Sequence, residues 1–418
     1  MLSQIKDIDK GKWLIHVNEI IQQTKNQSRM LNFDQILTEK SAQRLQNLEQ
    51  ANRFQLEFYQ QLKSELFTSI EDKQLLTSVK KDDTLFPFPL KYLIKDWGQE
   101  HQKYNEEIAS LLQQSLKDHL RPDQSALFLG CGCARLVVEL AKSYKEVVAL
   151  DKSLPMIWSI HELKKRGQWK VAIKNPTNSK TVADCITKAT LEMTQQQQDQ
   201  LEKNIRFVVG DLIDLKEYGK GFDHIYSVYF TDVLPLKILW KKVNDSLSSG
   251  GLFIHFGPLE YFFTNENEML TTEEIADYFG EQGYTIIHND FYERDYLYVN
   301  NSMRRRIYSN WFFIAQKPVK TVQKNLWKTP VKRHQSAMLK EEKIIDATGN
   351  SITNLEVCLN DRVYKLPQVI FDMIQRLDGQ TTLNEILESF GIDQVDDQQK
   401  EKLQEIFQQL AEEDIIKY

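Results

Sequence analysis

The chain has 418 residues, 41% of them hydrophobic and 27% charged, with a formal net charge of -6, enough length for two or three domains and a sizeable core. The acidic balance gives no general attraction to nucleic acid or an anionic membrane. No apolar run approaches the roughly twenty residues of a membrane span and the first residues show no signal-peptide core, so the expectation is a cytoplasmic protein.

Residues 1 to about 85 are rich in Gln, Lys, Glu and Leu, and apolar residues recur at three- and four-residue spacing around Phe54, Leu56, Phe58 and Leu62, the pattern of amphipathic helices. They predict a helical cap over 1–88 that ends at Phe86-Pro87-Phe88-Pro89. Another helix is expected from Tyr104 to Leu116.

From Ala126 to Lys317 strands and helices alternate, which predicts an α/β fold with a doubly wound, mainly parallel sheet over 89–320. The apolar run Ala126-Leu127-Phe128-Leu129 leads into Gly130-Cys131-Gly132-Cys133-Ala134-Arg135, a turn that glycine lets approach a ligand closely before a helix begins. A second strand, Val147 to Leu150, ends in Asp151, where a carboxylate can accept both hydroxyls of a ribose. A third, Ile205 to Val209, ends in Gly210-Asp211, a place for a polar side chain to meet an adenine amine. Gly130, Gly132, Asp151 and Asp211, each just after a strand, predict an adenosine site; a generic α/β core with acidic strand ends is the bland alternative. The third glycine of a dinucleotide fingerprint is missing and Arg135 follows the turn, which favours S-adenosylmethionine over a pyrophosphate-bearing cofactor.

Further strands are predicted at Phe222–Val228, Gly251–Phe256, Tyr284–Ile287 and Trp311–Ala315. The run Gln195 to Gln198 reads as a solvated helix surface or loop. Cys131 and Cys133 have no nearby ligands to complete a metal site, and four cysteines are too few for a disulfide framework in a chain this size. Residues 321–350 are basic and polar and read as a linker. Residues 351–418 predict a small winged-helix-like domain with a hairpin near Leu359-Asn360-Asp361 and helices carrying Phe371, Ile374, Leu383, Ile386, Phe407 and Leu410.

From Tyr92 to Pro318 the residues resemble the carnosine N-methyltransferase family. The shared pieces are Asp96-Trp97 with Tyr104, Gly130-x-Gly132-x-x-Arg135-Leu136, Gly210-Asp211, Phe230-x-Asp232, Gly257-Pro258-Leu259-x-Tyr261, and Tyr308 ahead of Phe312-Phe313. The resemblance implies a class I, Rossmann-like methyltransferase that binds S-adenosylmethionine through Gly130, Gly132, Arg135, Asp151, Asp211 and Phe230 and methylates an imidazole nitrogen of a histidine-containing small molecule or peptide. The sequence departs from the family at Ala134 (a glycine) and Asp151 (a glutamate), and Pro235 and Phe262 stand where the family has histidines. Glu260 replaces an apolar residue.

On the substrate side, Asp232 and Tyr261 are the candidate catalytic residues, and Tyr229 and Tyr308 complete the candidate pocket wall. Asp232 at a strand end can accept one imidazole N–H, fix the tautomer and leave the other nitrogen's lone pair toward the methyl. The alternative is a helix N-cap ahead of Pro235. Arg135 meets the methionyl carboxylate or pairs with a nearby acid. Tyr229 and Phe230 serve as sheet core or pocket wall, Trp97 as a packing anchor for the cap, and His255 as a satisfied core histidine.

Methylation of another amine or hydroxyl is the competing enzymatic reading, and an inactive cofactor- and peptide-binding protein is the non-enzymatic one. The C-terminal segment, through Leu377-Asp378-Gly379-x-Thr381-Thr382-Leu383, resembles the small peptide-chaperone domains of pyrroloquinoline quinone biosynthesis. That implies a peptide partner along a strand edge; a packing or homo-oligomer contact is the alternative.

Overall fold

The computed structural model describes residues 7–35, 38–67, 89–217, 219–296, 302–319, 327, 330–345, 351–359, 362–391, 397–413 and 415–417. Two compact units divide the chain, Met1–Val319 and Lys320–Tyr418.

The first unit opens with long helices α1 (Asp7–Arg29) and α2 (Glu39–Leu66), then α3 (Pro89–Trp97) and α4 (Gln102–Leu116). The residues that break the helical pattern at 86–88 lie outside the described residues. The core alternates β1 (Ser125–Leu129), α5 (Arg135–Leu140), β2 (Glu146–Asp151), α6 (Leu154–Arg166), β3 (Gln168–Lys174), β4 (Ile186–Glu192), α7 (Gln195–Lys203), β5 (Ile205–Val209), β6 (Phe222–Val228), α8 (Leu236–Ser246), β7 (Leu247–Gly257), α9 (Thr272–Glu281), β8 (Thr285–Asp295) and β9 (Ile307–Gln316). Among the described residues the main sheet has seven strands in the order β5-β2-β1-β6-β7-β9-β8. The first five are mutually parallel, and β9 runs antiparallel to both β7 and β8.

Strands buried on both faces read as continuous apolar runs, and β1 and β2 do. Ala126, Phe128, Val147 and Ala149 pack on one face with Trp158 of α6 and with Trp13, Phe58 and Leu62 of the helical cap. Leu127, Leu129, Val148 and Leu150 pack on the other face with Leu239 and Phe279. Strand order reverses between β1 and β6, so a crevice opens beyond their carboxyl ends, the usual ligand position in such sheets.

One feature departs from the expectations. The antiparallel hairpin β3–β4 is inserted between β2 and β5; its Trp169 stacks on Phe58 of α2 with ring centroids 5.6 Å apart. Of the two readings of the glutamine run the helix holds: it forms α7, with a reciprocal capping box of Thr194 and Gln197 at its start.

The second unit contains β10 (Pro330–Arg333), β11 (Met338–Ile345), β12 (Ser351–Leu359), β13 (Arg362–Lys365), α10 (Gln368–Gln375), β14 (Asp378–Thr382), α11 (Leu383–Ser389), α12 (Asp397–Glu412) and β15 (Ile416–Lys417). Its sheets run β14-β10-β15 and β11-β12-β13, around a core with Val331, Val357, Ile374, Leu383 and Phe407. Residues 321–350 are therefore not simply a linker. Val331 is fully buried and Leu339 packs against the core, so isolated apolar residues among lysines and arginines suffice to hold β10 and β11 in place. The expected hairpin exists as β12–β13, with its turn outside the described residues.

Candidate active site

The turn after β1 takes its shape from backbone conformation. Gly130, Gly132 and Ala134 have φ of 60°, 56° and 61°, a left-handed run that glycine adopts without strain. A Cβ on Gly130 would stand 2.3 Å from Cδ2 of Phe230, so the Phe230 ring lies directly on the turn; a Cβ on Gly132 would meet nothing within 4 Å. Gly132 thus borders open space. Its N–H donates to Asp151 Oδ2 at 2.7 Å, and the Ser153 N–H donates to Oδ1 at 2.7 Å. Burial pushes the Asp151 carboxyl up to about 6, against the pull of those two amides.

One strand over, Asp211 accepts from the Ile213 amide at 3.1 Å and pairs with Lys152, Nζ to Oδ2 3.1 Å. The crevice edge therefore presents Asp151 and Asp211 on neighbouring strands.

Arg135 makes the acid pairing that is one of its two expected roles. Its guanidinium pairs with Glu139 at 3.1 Å and Glu106 at 3.9 Å, and lies 5.2 Å from the Trp97 ring centre. Glu139 is one helical turn ahead on α5, while α4 brings up Glu106, so the guanidinium braces helices; its buried Nε has no hydrogen-bond partner among the described residues. Trp97 is the packing anchor expected of it: 2% exposed, it donates Nε1–H to the Cys133 carbonyl at 2.7 Å.

Beyond β6, Tyr229 also has positive φ, 55°, a strained conformation for an aromatic residue of the kind that clusters at functional sites. Asp232 follows in a short 3-10 turn. It does not cap α8, whose N-cap residue is Pro235. Instead Oδ2 accepts the Glu260 N–H at 2.8 Å, and the Phe262 N–H donates to the Asp232 carbonyl at 3.1 Å. The turn after β7 is thereby tied to the end of β6. Asp232 Oδ1 is buried and has no hydrogen-bond partner among the described residues. Burial is the main cause that raises this carboxyl, opposed by the Glu260 amide.

Tyr261 gives its hydroxyl proton to the Leu270 carbonyl at 2.5 Å, which makes it an anchor of the loop after β7. Tyr308 donates to the Glu260 carboxylate and accepts from Arg306 at 3.0 Å. Phe262 is 74% exposed, so the side chain in the place of a family histidine faces solvent. His255 is the satisfied core histidine expected: Nδ1 meets the Thr231 hydroxyl at 2.7 Å and Nε2 faces the Gly257 carbonyl at 3.1 Å, and burial lowers it to about 4.

The fold adds Tyr296 and Lys95, which no sequence motif picks out, and sets Tyr104 beside them. Tyr296, just past β8, lies 5.4 Å from the Tyr229 ring and 4.8 Å from the Tyr308 ring, centroid to centroid. Tyr104 shares a hydroxyl hydrogen bond with Tyr229 at 3.0 Å. Lys95 holds its ammonium 4.8 Å from the Tyr229 centroid. No local pattern announces this wall, which is assembled from α3, α4, β6, β8 and β9.

Residues 75–319, more than half of the chain, match the carnosine N-methyltransferase family. The chain belongs to that family. None of the curated proteins matches it. Among solved structures, it is similar to the magnesium protoporphyrin IX methyltransferase of Synechocystis with bound SAM, at 12% identity over 62% of this chain and 96% of that one, TM-score 0.33. It is also similar to an N-methyltransferase of Bradyrhizobium japonicum in complex with S-adenosyl-L-homocysteine, at 12% identity over 54% and 90%, TM-score 0.33. The assignment rests on the family match and on the sheet order.

As a member of the carnosine N-methyltransferase family, the protein is an S-adenosylmethionine-dependent methyltransferase. The crevice fits the cofactor: Gly132 leaves room where a side chain would intrude, and Asp151 is a carboxylate at the end of β2, suited to ribose hydroxyls. When bound, S-adenosylmethionine supplies a methyl group on a positive sulfonium. The protein's part is alignment and an aromatic wall that tolerates spreading positive charge.

Proposed function

We propose that the enzyme methylates an imidazole nitrogen of a histidine-containing small molecule or peptide. The observation that carries this reading is the unpartnered Oδ1 of Asp232, an acceptor fixed in place by the Glu260 amide on its other oxygen. Accepting one imidazole N–H there satisfies a buried acceptor and fixes the tautomer, so that the second nitrogen carries its lone pair toward the methyl. Asp232 then stabilises the imidazolium product, and Tyr229, Tyr296 and Tyr308 offer ring faces to the same charge.

One observation favours methylation of an amine as the second reading. Glu260 is a carboxylate bonded to Tyr308 at a position that the resemblance makes apolar, and an amine acceptor must shed a proton. The two readings separate when the protein is incubated with ¹³C-methyl S-adenosylmethionine and histidine, carnosine, a histidine peptide or a lysine peptide. Label on an imidazole nitrogen supports the first reading. Label confined to amines overturns it in favour of the second, and no label on any acceptor also counts against it.

A further inference from the structure

Arg304-Arg305-Arg306 is a run of three guanidiniums that the fold sets at the start of β9, just ahead of Tyr308. Its members have different surroundings. Arg305 is held by Asp295 of β8 through two bonds of 2.5 Å. Arg306 lies against the aromatic wall: its Nη1 donates to the Tyr308 hydroxyl at 3.0 Å, and its guanidinium carbon is 5.8 Å from the Tyr308 ring centre. The same Nη1 stands 3.7 Å from the Glu260 carboxylate, too far for a good hydrogen bond.

Glu260 ties this cation to the reacting end of the crevice. Its amide holds Asp232 Oδ2 at 2.8 Å while its carboxylate accepts from Tyr308. One tyrosine and one glutamate therefore link Arg306 to the residue whose Oδ1 is unpartnered. A guanidinium has five N–H donors in a flat fork that matches a carboxylate, and a single hydroxyl does not fill it.

The balance of charge points the same way. Burial, with the charges of Arg306 and Arg304, holds the Lys91 ammonium of α3 below its usual value, so three cations gather at this lip. Glu260 sets one negative charge against them, and at 51% exposure it is well screened. An imidazole seated at Asp232 brings the rest of its molecule toward this lip. In free histidine and in a C-terminal histidine residue, a carboxylate lies a few bonds from the ring.

We propose that Arg306 binds the carboxylate of the acceptor, with Lys91 and Arg304 adding positive charge around it, so that the enzyme selects imidazoles whose histidine carries a free carboxylate. The inference rests on imidazole methylation at Asp232.

Steady-state methyl transfer by the full chain to carnosine and to carnosine amide, which differ only at the carboxyl group, tests it. Wild type should favour carnosine by about tenfold or more in kcat/KM, mainly through a lower KM. Arg306→Gln should lose most of that preference while still binding S-adenosylhomocysteine, which reports that it folds, and Arg306→Lys should keep part of it. Equal kcat/KM for the two compounds in wild type, or a preference that Arg306→Gln leaves intact, overturns the inference alone. A wild type that methylates neither compound overturns it together with the imidazole reading.

Discussion

The Trp97 indole donates to the carbonyl oxygen of Cys133 at 2.7 Å, so a helix that precedes the sheet by sequence is bonded directly to the glycine turn. The bond is buried, and the Arg135 guanidinium lies against the same ring. Trp97→Phe keeps most of the apolar bulk but removes the only donor in the side chain. A buried carbonyl that loses its partner costs about 1–3 kcal/mol, and the turn loses its brace. Urea denaturation should show a loss in that range, accompanied by weaker S-adenosylhomocysteine binding; unchanged values for both would mean that the contact is incidental.

Gly130 and Gly132 should respond differently to the same substitution. Alanine at 132 meets no protein atom, so the variant should fold with about 1–2 kcal/mol of backbone strain. Its methyl enters the space assigned to the cofactor, where overpacking weakens binding by roughly tenfold or more. Alanine at 130 collides with Phe230 and should lose about 2–5 kcal/mol of stability from strain and overpacking together. Thermal melts and calorimetry on the two variants check the contrast, which fails if both lose only stability or both lose only affinity.

Much of this crevice is legible in the amino-acid sequence. Gly130, Gly132, Asp151 and Asp211 stand where a strand, turn and helix pattern places them, because parallel strands buried on both faces announce themselves as apolar runs. Local sequence does not decide the role of Arg135, since Glu106 reaches it from α4 only once the helices pack. Asp232 satisfies the local signature of a cap, yet its carboxylate serves a loop 28 residues away. The pairing of β3 with β4 and the tyrosine wall around Tyr296 arise from long-range packing, with no periodicity to reveal them. The capping box at Thr194, by contrast, is visible as Thr-x-x-Gln and marks the start of α7.

Asp151 should make cofactor binding depend on pH. Burial raises its carboxyl from an ordinary 3.8 to about 6, so the folded protein takes up this proton before the unfolded chain does. Its contribution to stability is therefore present below pH 3.8 and lost as pH rises through about 6. The ligand works in the opposite direction, because the ionised carboxylate is the better acceptor for ribose hydroxyls. S-adenosylhomocysteine affinity should fall as pH drops below about 6, and Asp151→Asn should flatten that fall. A pH profile that is identical in wild type and variant would assign the dependence to another group.

The central claim concerns Asp232 and is tested most directly by single-turnover methyl transfer to a histidine-containing acceptor, in wild type and in Asp232→Asn. The asparagine oxygen can still accept the Glu260 amide, while its NH₂ puts a donor where the unpartnered acceptor stands. The account predicts that transfer to imidazole slows by about a hundredfold with S-adenosylhomocysteine affinity unchanged. Transfer at the wild-type rate in Asp232→Asn would contradict it.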